Sequence, residues 1–458
     1  MALGKRKSEK QEAWVATTEL PRSPGHPFYK QLNRLLAEDG FDGWLEKLCA
    51  PYYHVTQGRP SIPPGVYFRM ILVGYFEGIS SQRGIAWRCC DSRSLAEFLG
   101  YGPTEETPDH SSLSRLSQRL PREVHEAVFQ RVLAIAVAKE LVDGRTVAVD
   151  STTLEANAAM KSIIRRDTGE DWQEYVVRLM KAEGVIEQDQ EPTDEEVRRY
   201  DKQRKKKVGN DQWGSTTDPE SRITRMKDGT THLAYKAEHV VDLESEFVLA
   251  ATLHGGDAAD TDTLCDSLVE AQMNLEQAGS EVEILEATAD KGYHAAATIE
   301  LCDDLNFRTY IPEPKRPHRS RWTDKPPEQR DAVYANRRRV KGDRGKRLQR
   351  LRSERVERSF AHVCETGGAR RCWLTGLAKV TKRYLLQAAA RNLGLILRKL
   401  CGMGTPRGLQ PEGALATLVH FILVVIGRAS IRQHAIRRRN TALDRVATNR
   451  AAAYALAA

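Results

Sequence analysis

The stretch GRTVAVDST, residues 144–152, decides the fold. From Phe28 to about Val142, apolar side chains return every three or four positions, as they do along helices. At Gly144 the period shortens to that of a strand, and the strand ends in a carboxylate, Asp150. Downstream, THLAYKAEHVVDLESEFVLAATLHGG (231–256) reads as a hairpin turning near Leu243–Ser245, and DTDTLCDSLVEAQMNLEQA (260–278) as an amphipathic helix. VEILEATADKGY (282–293) reads as a fourth strand that also ends in a carboxylate, Asp290, and FRTYIPEP (307–314) as a fifth. The helix between the hairpin and the fourth strand favours a parallel pairing of that strand with the first. Asp150 and Asp290 would then sit side by side on one sheet edge, about 5 Å apart.

Carboxylates so placed repel: at an effective dielectric of about 20, two charges 5 Å apart cost on the order of 3 kcal/mol. A third can join them from LQRLRSERVERSFAHV (348–363), a helix in which Glu354 and Glu357 lie one turn apart and face nearly the same way. Such a cluster calls for protonation, a basic partner or a divalent cation. Oxygen-only ligands suit Mg²⁺ or Mn²⁺, whereas zinc would prefer the His and Cys that this cluster lacks. Two such ions can activate a water or a 3′-hydroxyl and stabilise the leaving oxygen of a phosphodiester. A single aspartate after a strand more commonly begins a turn or caps a helix, so only the pair at matching strand ends points to chemistry.

Upstream, the helical region carries Ser/Arg-rich connections, and Asp109 stands ready to N-cap a helix bearing Arg115 and Arg119. This pattern suits a helix-turn-helix-like module or any small helical bundle. Between the first strand and the hairpin, residues 160–230 are very polar, acidic around Glu183–Glu196 and basic at Lys202–Lys207, and read as a helical or partly disordered insertion. The chain has 458 residues, so two or three domains are expected. The organisation we expect is a flexible arm (1–25), a helical domain with possible DNA contact (26–142), an α/β domain (143–400) with the insertion, and a C-terminal helix with an Arg-rich tail (401–458).

Hydrophobic residues make up 40% and mean hydropathy is −0.53, too polar for a polytopic membrane protein. The longest apolar run, Ala414–Gly427, is shorter than the roughly 20 residues a spanning helix needs. The N-terminus lacks an apolar core like that of a secretory signal, and the eight cysteines form no CxxC pair, which fits a reducing cytoplasm. Net charge is +8, yet the segment from Lys315 to Arg352 alone holds 15 Lys or Arg against four acids. The positive charge is therefore concentrated in one segment, either a solvated face or a contact for a polyanion such as nucleic acid.

Three blocks, TVAVDSTTLEANA, ATADKGYH and RSERVERSFAHVCETGGARRCWLTGLAKVTKRYLLQAAARNL, resemble the DDE transposases of bacterial insertion sequences. They are most similar to the group of insertion sequence eleven-eighty-two in the broad IS-four and IS-five superfamily. RPSIPPGVYFRMILVGYFEGISSQRGIAWRC and PDHSSLSRLSQRL resemble the helical domain that precedes the catalytic core there, and the likeness covers roughly residues 30–400. The resemblance implies an α/β fold with an RNase H-like core, a mixed five-stranded sheet flanked by helices, whose Asp–Asp–Glu triad holds two Mg²⁺ ions that Mn²⁺ can replace.

Carried over residue by residue, the triad is Asp150 in VAVDSTT, Asp290 in ADKGYH and Glu357 in VERSF, with Glu354 as the rival for the third place. The superfamily signature expects tyrosine and arginine seven and four residues before the glutamate and lysine seven after it; here stand Arg350, Ser353 and Cys364. Asp260 and Asp262 are rivals for the second aspartate, although their place before a helix favours N-capping. Candidate DNA contacts are Lys291, Arg337, Arg338, Arg339, Arg350, Arg352, Arg355 and Arg358. Tyr293 either orients the scissile phosphate or packs beneath the site. Trp172, Trp213 and Trp322 are core residues or stacking platforms for an unpaired base.

The function implied is a cytoplasmic transposase, acting as a homodimer on double-stranded DNA. It would cleave the terminal inverted repeats of a mobile element in a metal-dependent reaction and transfer the strands into target DNA. The alternatives are a nuclease or resolvase on the same core, which cuts without joining, and a DNA-binding protein whose catalytic site no longer works.

Overall fold

The computed structural model describes residues 16, 24–54, 58, 61–204, 209–226, 229–315 and 326–409. The chain divides into two units, Met1–Leu393 and Gly394–Ala458. Of the second, the last turns of a long helix and a short 3-10 turn, Pro406–Leu409, are described. The 1–25 arm, apart from residues 16, 24 and 25, lies outside the described residues, as do Trp322, the run Ala414–Gly427 and the Arg-rich tail. Among the described residues no helix is long and apolar enough to cross a membrane.

The first unit opens with helices α1 (Pro27–Glu38), α2 (Phe41–Cys49), α3 (Pro64–Glu77), α4 (Gln82–Asp91), α5 (Arg93–Phe98), α6 (His110–Arg119) and α7 (Arg122–Ala138). Prolines begin α1 and α3, where a missing N–H costs nothing. Asp109 caps α6 as expected, accepting from the Ser112 N–H at 2.9 Å. Helix α3 is buried nearly all round, and its one buried charge, Arg69, is satisfied by Asp42 at 2.7 Å, Asn33 at 2.8 Å and the Phe98 carbonyl at 3.3 Å. A buried guanidinium needs such partners, and here they tie α1, α2 and α5 to α3.

The next segment lays down strands β1 (Thr146–Glu155), β2 (Ile163–Arg165), β3 (Trp213–Ser215), β4 (Arg222–Arg225), β5 (Thr231–Asp242), β6 (Val248–Gly255), β7 (Glu286–Thr288) and β8 (Arg308–Tyr310). The main sheet is mixed and has six strands rather than five. β5 lies antiparallel to β1, β7 and β8 continue in parallel on the other side of β1, and β6 and the added β4 share the far edge of β5. The hairpin β5–β6 and the parallel pairing of β1 with β7 are both as the sequence suggests. Helices α10 (Asp260–Gln277), α11 (Ala296–Asp304), α12 (Pro327–Lys341) and α13 (Asp343–Phe360) flank this sheet, joined by the part of α14 (Leu377–Cys401) before Gly394, whose Tyr384 and Asn392 bond to β5 and β6.

Side chains alternate between faces along a strand, so the registers say which helix covers which face. Asp150 stands opposite His239, whose ring is held by Ser359 of α13 and Tyr384 of α14, each at 2.8 Å. Ser151 stands opposite Glu238, which instead meets Thr263 and Ser267 of α10. Helices α13 and α10 therefore lie on opposite faces, and β1 addresses both through Asp150 and Ser151.

Of the two readings of the insertion, helical or partly disordered, its described residues follow the helical one; residues 205–208 and 227–228 lie outside the described residues. β2 pairs with β3, and α8 (Trp172–Ala182) and α9 (Asp194–Gln203) pack over them around Tyr175, Val176, Met180, Val197 and Trp213. Trp213 belongs to that small core and Trp172 packs against it, which removes both as free stacking platforms.

Candidate active site

The paired stretch of β1 and β7 ends at Ala148 and Thr288, and two residues beyond each stands an aspartate, Asp150 and Asp290. β1 itself runs on to Glu155, so Asp150 stands within that strand and not at its end, which corrects the sequence reading. Because the two strands run parallel, both aspartates still lie beyond the same end, or rim, of their paired stretch. Asp150 accepts from the Ser151 N–H at 2.8 Å and from Arg352 of α13 at 2.6 Å. Asp290 turns its carboxylate onto its own loop, accepting from the Gly292 N–H at 2.7 Å at the head of a 3-10 turn, Lys291–Tyr293.

A third aspartate arrives from α10. Asp260 does not cap that helix, whose N-cap is Ala259 with no side-chain bond, and this corrects the capping expectation. Its carboxylate instead meets Lys236 of β5 at 2.7 Å and the Ser151 hydroxyl at 3.0 Å. A Cβ placed on Gly292 would lie 2.8 Å from Asp260 Oδ2 and 2.9 Å from Asp290 Oδ1, so the two carboxylates close on one point that only glycine leaves open. Asp262 accepts from Thr261 at 3.1 Å and takes no part in this cluster.

Beneath this rim lies a buried polar cluster on β5 and α10. Glu238 is fully buried and accepts from Tyr293 at 2.6 Å, Thr263 at 3.0 Å and Ser267. Lys236, also buried, donates to Thr263 at 2.9 Å and lies over the Tyr293 ring. Tyr293 thus packs under the site. Burial first, and then the Glu238 and Asp260 charges, push its phenol well above the usual tyrosine range, so it stays protonated.

The two glutamates of α13 differ. Glu354 is exposed and paired with Arg358 at 2.6 Å, while Glu357 is exposed with no side-chain partner among the described residues. At about 100° per residue, Glu357 stands roughly 140° round the helix from Arg352, and Glu354 roughly 200°. Neither shares the face that Arg352 turns to Asp150. Among the described residues, no three His, Cys, Asp or Glu side chains converge closely enough to hold a metal ion. The donor chemistry nonetheless suits a hard cation. Asp150, Asp260 and Asp290 offer oxygen alone, and two of them already attract a side-chain cation.

The candidate DNA contacts divide by partner. Lys291, Arg338 and Arg350 make no side-chain bond among the described residues, and Lys291 and Arg350 are exposed. Arg337 pairs with Glu313 at 2.7 Å, and Arg358 bridges Glu354 and Glu246. Arg339 clips the Thr309 carbonyl at 2.9 Å, and burial pulls its guanidinium below the usual range. Arg355 has a buried Nη1 without a hydrogen-bond partner. Sequence reasoning missed Lys236 and Glu238, whose signal was two charges at alternate positions of an otherwise apolar strand.

Residues 18–119 match the family described as Transposase domain (DUF772), and residues 302–397 match the Transposase DDE domain. The second match spans Glu354, Glu357 and Arg352; Asp150, Asp260 and Asp290 lie outside both. No curated protein matches the chain. Among solved structures, the chain is similar to the Mos1 transposase paired-end complex with left transposon end, at 11% identity over 71% of this chain and 86% of that chain, with a TM-score of 0.18. The chain is thus similar to transposase domains over two stretches, one across its N-terminal helices and one, of the DDE type, across the later part of its α/β region.

Proposed function

We propose that this protein is a DDE transposase that hydrolyses phosphodiester bonds at the ends of a mobile DNA element and joins the exposed 3′-hydroxyls to target DNA. The observation that carries the reading is the placement of Asp150 and Asp290, each two residues past the same end of the stretch over which β1 and β7 pair in parallel. The strand order, with β5, β1, β7 and β8 side by side, supports an RNase H-like core. Asp150 and Asp290 would hold the divalent ions and Asp260 stands within reach of Asp290, while Glu357 would serve as the third carboxylate only after α13 turns its exposed side chain towards the rim. Divalent ions such as Mg²⁺ held by these carboxylates would supply Lewis-acid stabilisation to the phosphodiester displacement.

The chain's own groups prepare that site. Arg352 neutralises one oxygen of Asp150 and Lys236 one of Asp260, which lowers the repulsion these carboxylates exert on one another. Gly292 lets a phosphate come close to Asp290 and Asp260, because no Cβ stands there. Unpaired Lys291, Arg338 and Arg350 hold the DNA by its phosphates, and the N-terminal helices provide a second surface. Processing two ends together calls for a homodimer. The test is a strand-transfer assay with a labelled element end and Mg²⁺ or Mn²⁺. Joined product supports the transposase. Cleavage without joining makes the protein a nuclease, and binding without cleavage leaves a DNA-binding protein.

A further inference from the structure

Away from the carboxylate rim, the turn that follows α13 comes hard against the N-terminal helices. A Cβ on Gly367 would meet the Val363 carbonyl at 2.6 Å and the Tyr75 ring at 2.7 Å, so this contact requires glycine. The approach leaves a cleft of about 430 Å³ between α3, α4, α6 and α7 on one side and residues 367–387 on the other. That size lies within the roughly 300–1,000 Å³ of small-molecule sites.

The lining is one-sided in charge. Arg83, Lys379, Lys382 and Arg383 border the cleft, and no aspartate or glutamate does. Lys382 is engaged by the Ser117 and Leu120 carbonyls at 3.1 and 2.7 Å. Arg383 is partly buried and has no side-chain hydrogen bond or carboxylate partner among the described residues. Burial pulls its guanidinium below the usual arginine range. A desolvated cation without a partner favours an anion beside it.

A second polar group points the same way. His125 is 1% exposed, and its Nδ1 lies 2.8 Å from the Pro121 carbonyl, which places the proton on that nitrogen. Nε2 is then a lone pair, buried and without a partner, on a residue that lines the cleft. It asks for a donor. The rings of Tyr67 and Tyr75 make the wall apolar, and Trp373, 55% exposed, stands at the border.

A ligand matching all of this has a flat ring, an N–H donor on that ring and an attached anion. We propose that this cleft binds a single unstacked nucleotide, with the base between Tyr67, Tyr75 and Trp373, a base N–H donating to His125, and the phosphate on Arg383 and Lys379. The nucleotide is either free or the end of a DNA strand. The site goes beyond the transposase reading and does not depend on the carboxylates.

The experiment uses the full chain in EDTA and follows 2-aminopurine fluorescence, because that base carries an exocyclic amine. Three probes are compared: a 5′-phosphorylated single strand ending in 2-aminopurine, free 2-aminopurine deoxyribonucleoside monophosphate, and the same strand with an abasic end bearing a distant fluorophore. The expected result is saturable quenching of the strand-end probe and at least tenfold weaker binding of the abasic one. Arg383→Gln and His125→Phe should each weaken the strand-end probe by roughly tenfold. Trp373→Ala, at an exposed position where folding is not at stake, should reduce the quenching. Equal affinity of the free nucleotide assigns a nucleotide-ligand site, and preference for the strand assigns a strand-end site. Equal binding of abasic and base-bearing strands, or quenching unchanged in both Arg383→Gln and Trp373→Ala, overturns the proposal. Asp150→Asn should bind like the wild type, so failure of the catalytic reading leaves this one standing.

Discussion

At the scale of single residues, His125 and Lys236 illustrate how burial sets chemistry. Burial of His125 pushes its imidazole down from 6.5 to about 4; the Pro121 carbonyl opposes this and the Lys382 charge adds to it. The unfolded chain therefore binds a proton between pH 6.5 and 4 that the folded chain refuses. Stability from this residue is complete above pH 6.5 and is lost as pH falls through that window, by about 3 kcal/mol at most. Thermal unfolding of His125→Phe should show a shallower decline from pH 7 to pH 4 than the wild type; parallel declines would contradict the assignment. Asp150 and Asp290 were legible in the sequence because each follows a short apolar run, although β1 continues past Asp150 to Glu155. Lys236 and Glu238 were not, because their partners Asp260, Thr263 and Ser267 sit on a helix that no local pattern aligns with β5.

At the scale of elements, periodicity was a good guide wherever apolar residues recur, as in α3, α7, β1 and the β5–β6 hairpin. It failed in the insertion. The helices α8 and α9 are so charged that their few apolar positions look too sparse for a core, yet Trp213 closes over Tyr175 and Val176 from nearly forty residues away. Arg165 spreads over both rings, 4.8 Å from Tyr175 and 5.8 Å from Trp213. Trp213→Ala should remove about 3–5 kcal/mol from this small unit. Limited proteolysis is then expected to cut within 160–230 while the main sheet stays protected. Unchanged resistance there would mean that the insertion does not depend on this cluster. The third carboxylate stayed open in the sequence for a different reason: Glu354 and Glu357 differ by only one turn, and it is the Arg358 ion pair that occupies Glu354.

At the scale of the whole molecule, the candidate DNA-contacting cations do not act as a unit. Arg337, Arg339 and Arg358 are held by Glu313, Thr309 and Glu246, whereas Lys291, Arg338 and Arg350 carry no side-chain partner among the described residues. Replacing those three by glutamine should lower the salt dependence of DNA binding by about 0.9 for each phosphate that is no longer neutralised. Arg339→Gln should leave the slope unchanged and reduce stability instead. A filter-binding titration across salt separates the two; equal slopes in wild type and triple variant would make these cations a solvated face. The rim where the pairing of β1 with β7 ends remains the point on which the account turns. Its most direct test is strand transfer of a labelled element end by wild type, Asp150→Asn and Asp290→Asn in Mn²⁺. The account predicts joined product from the wild type alone, with both variants still binding the end, and joining by either variant at the wild-type rate would contradict it.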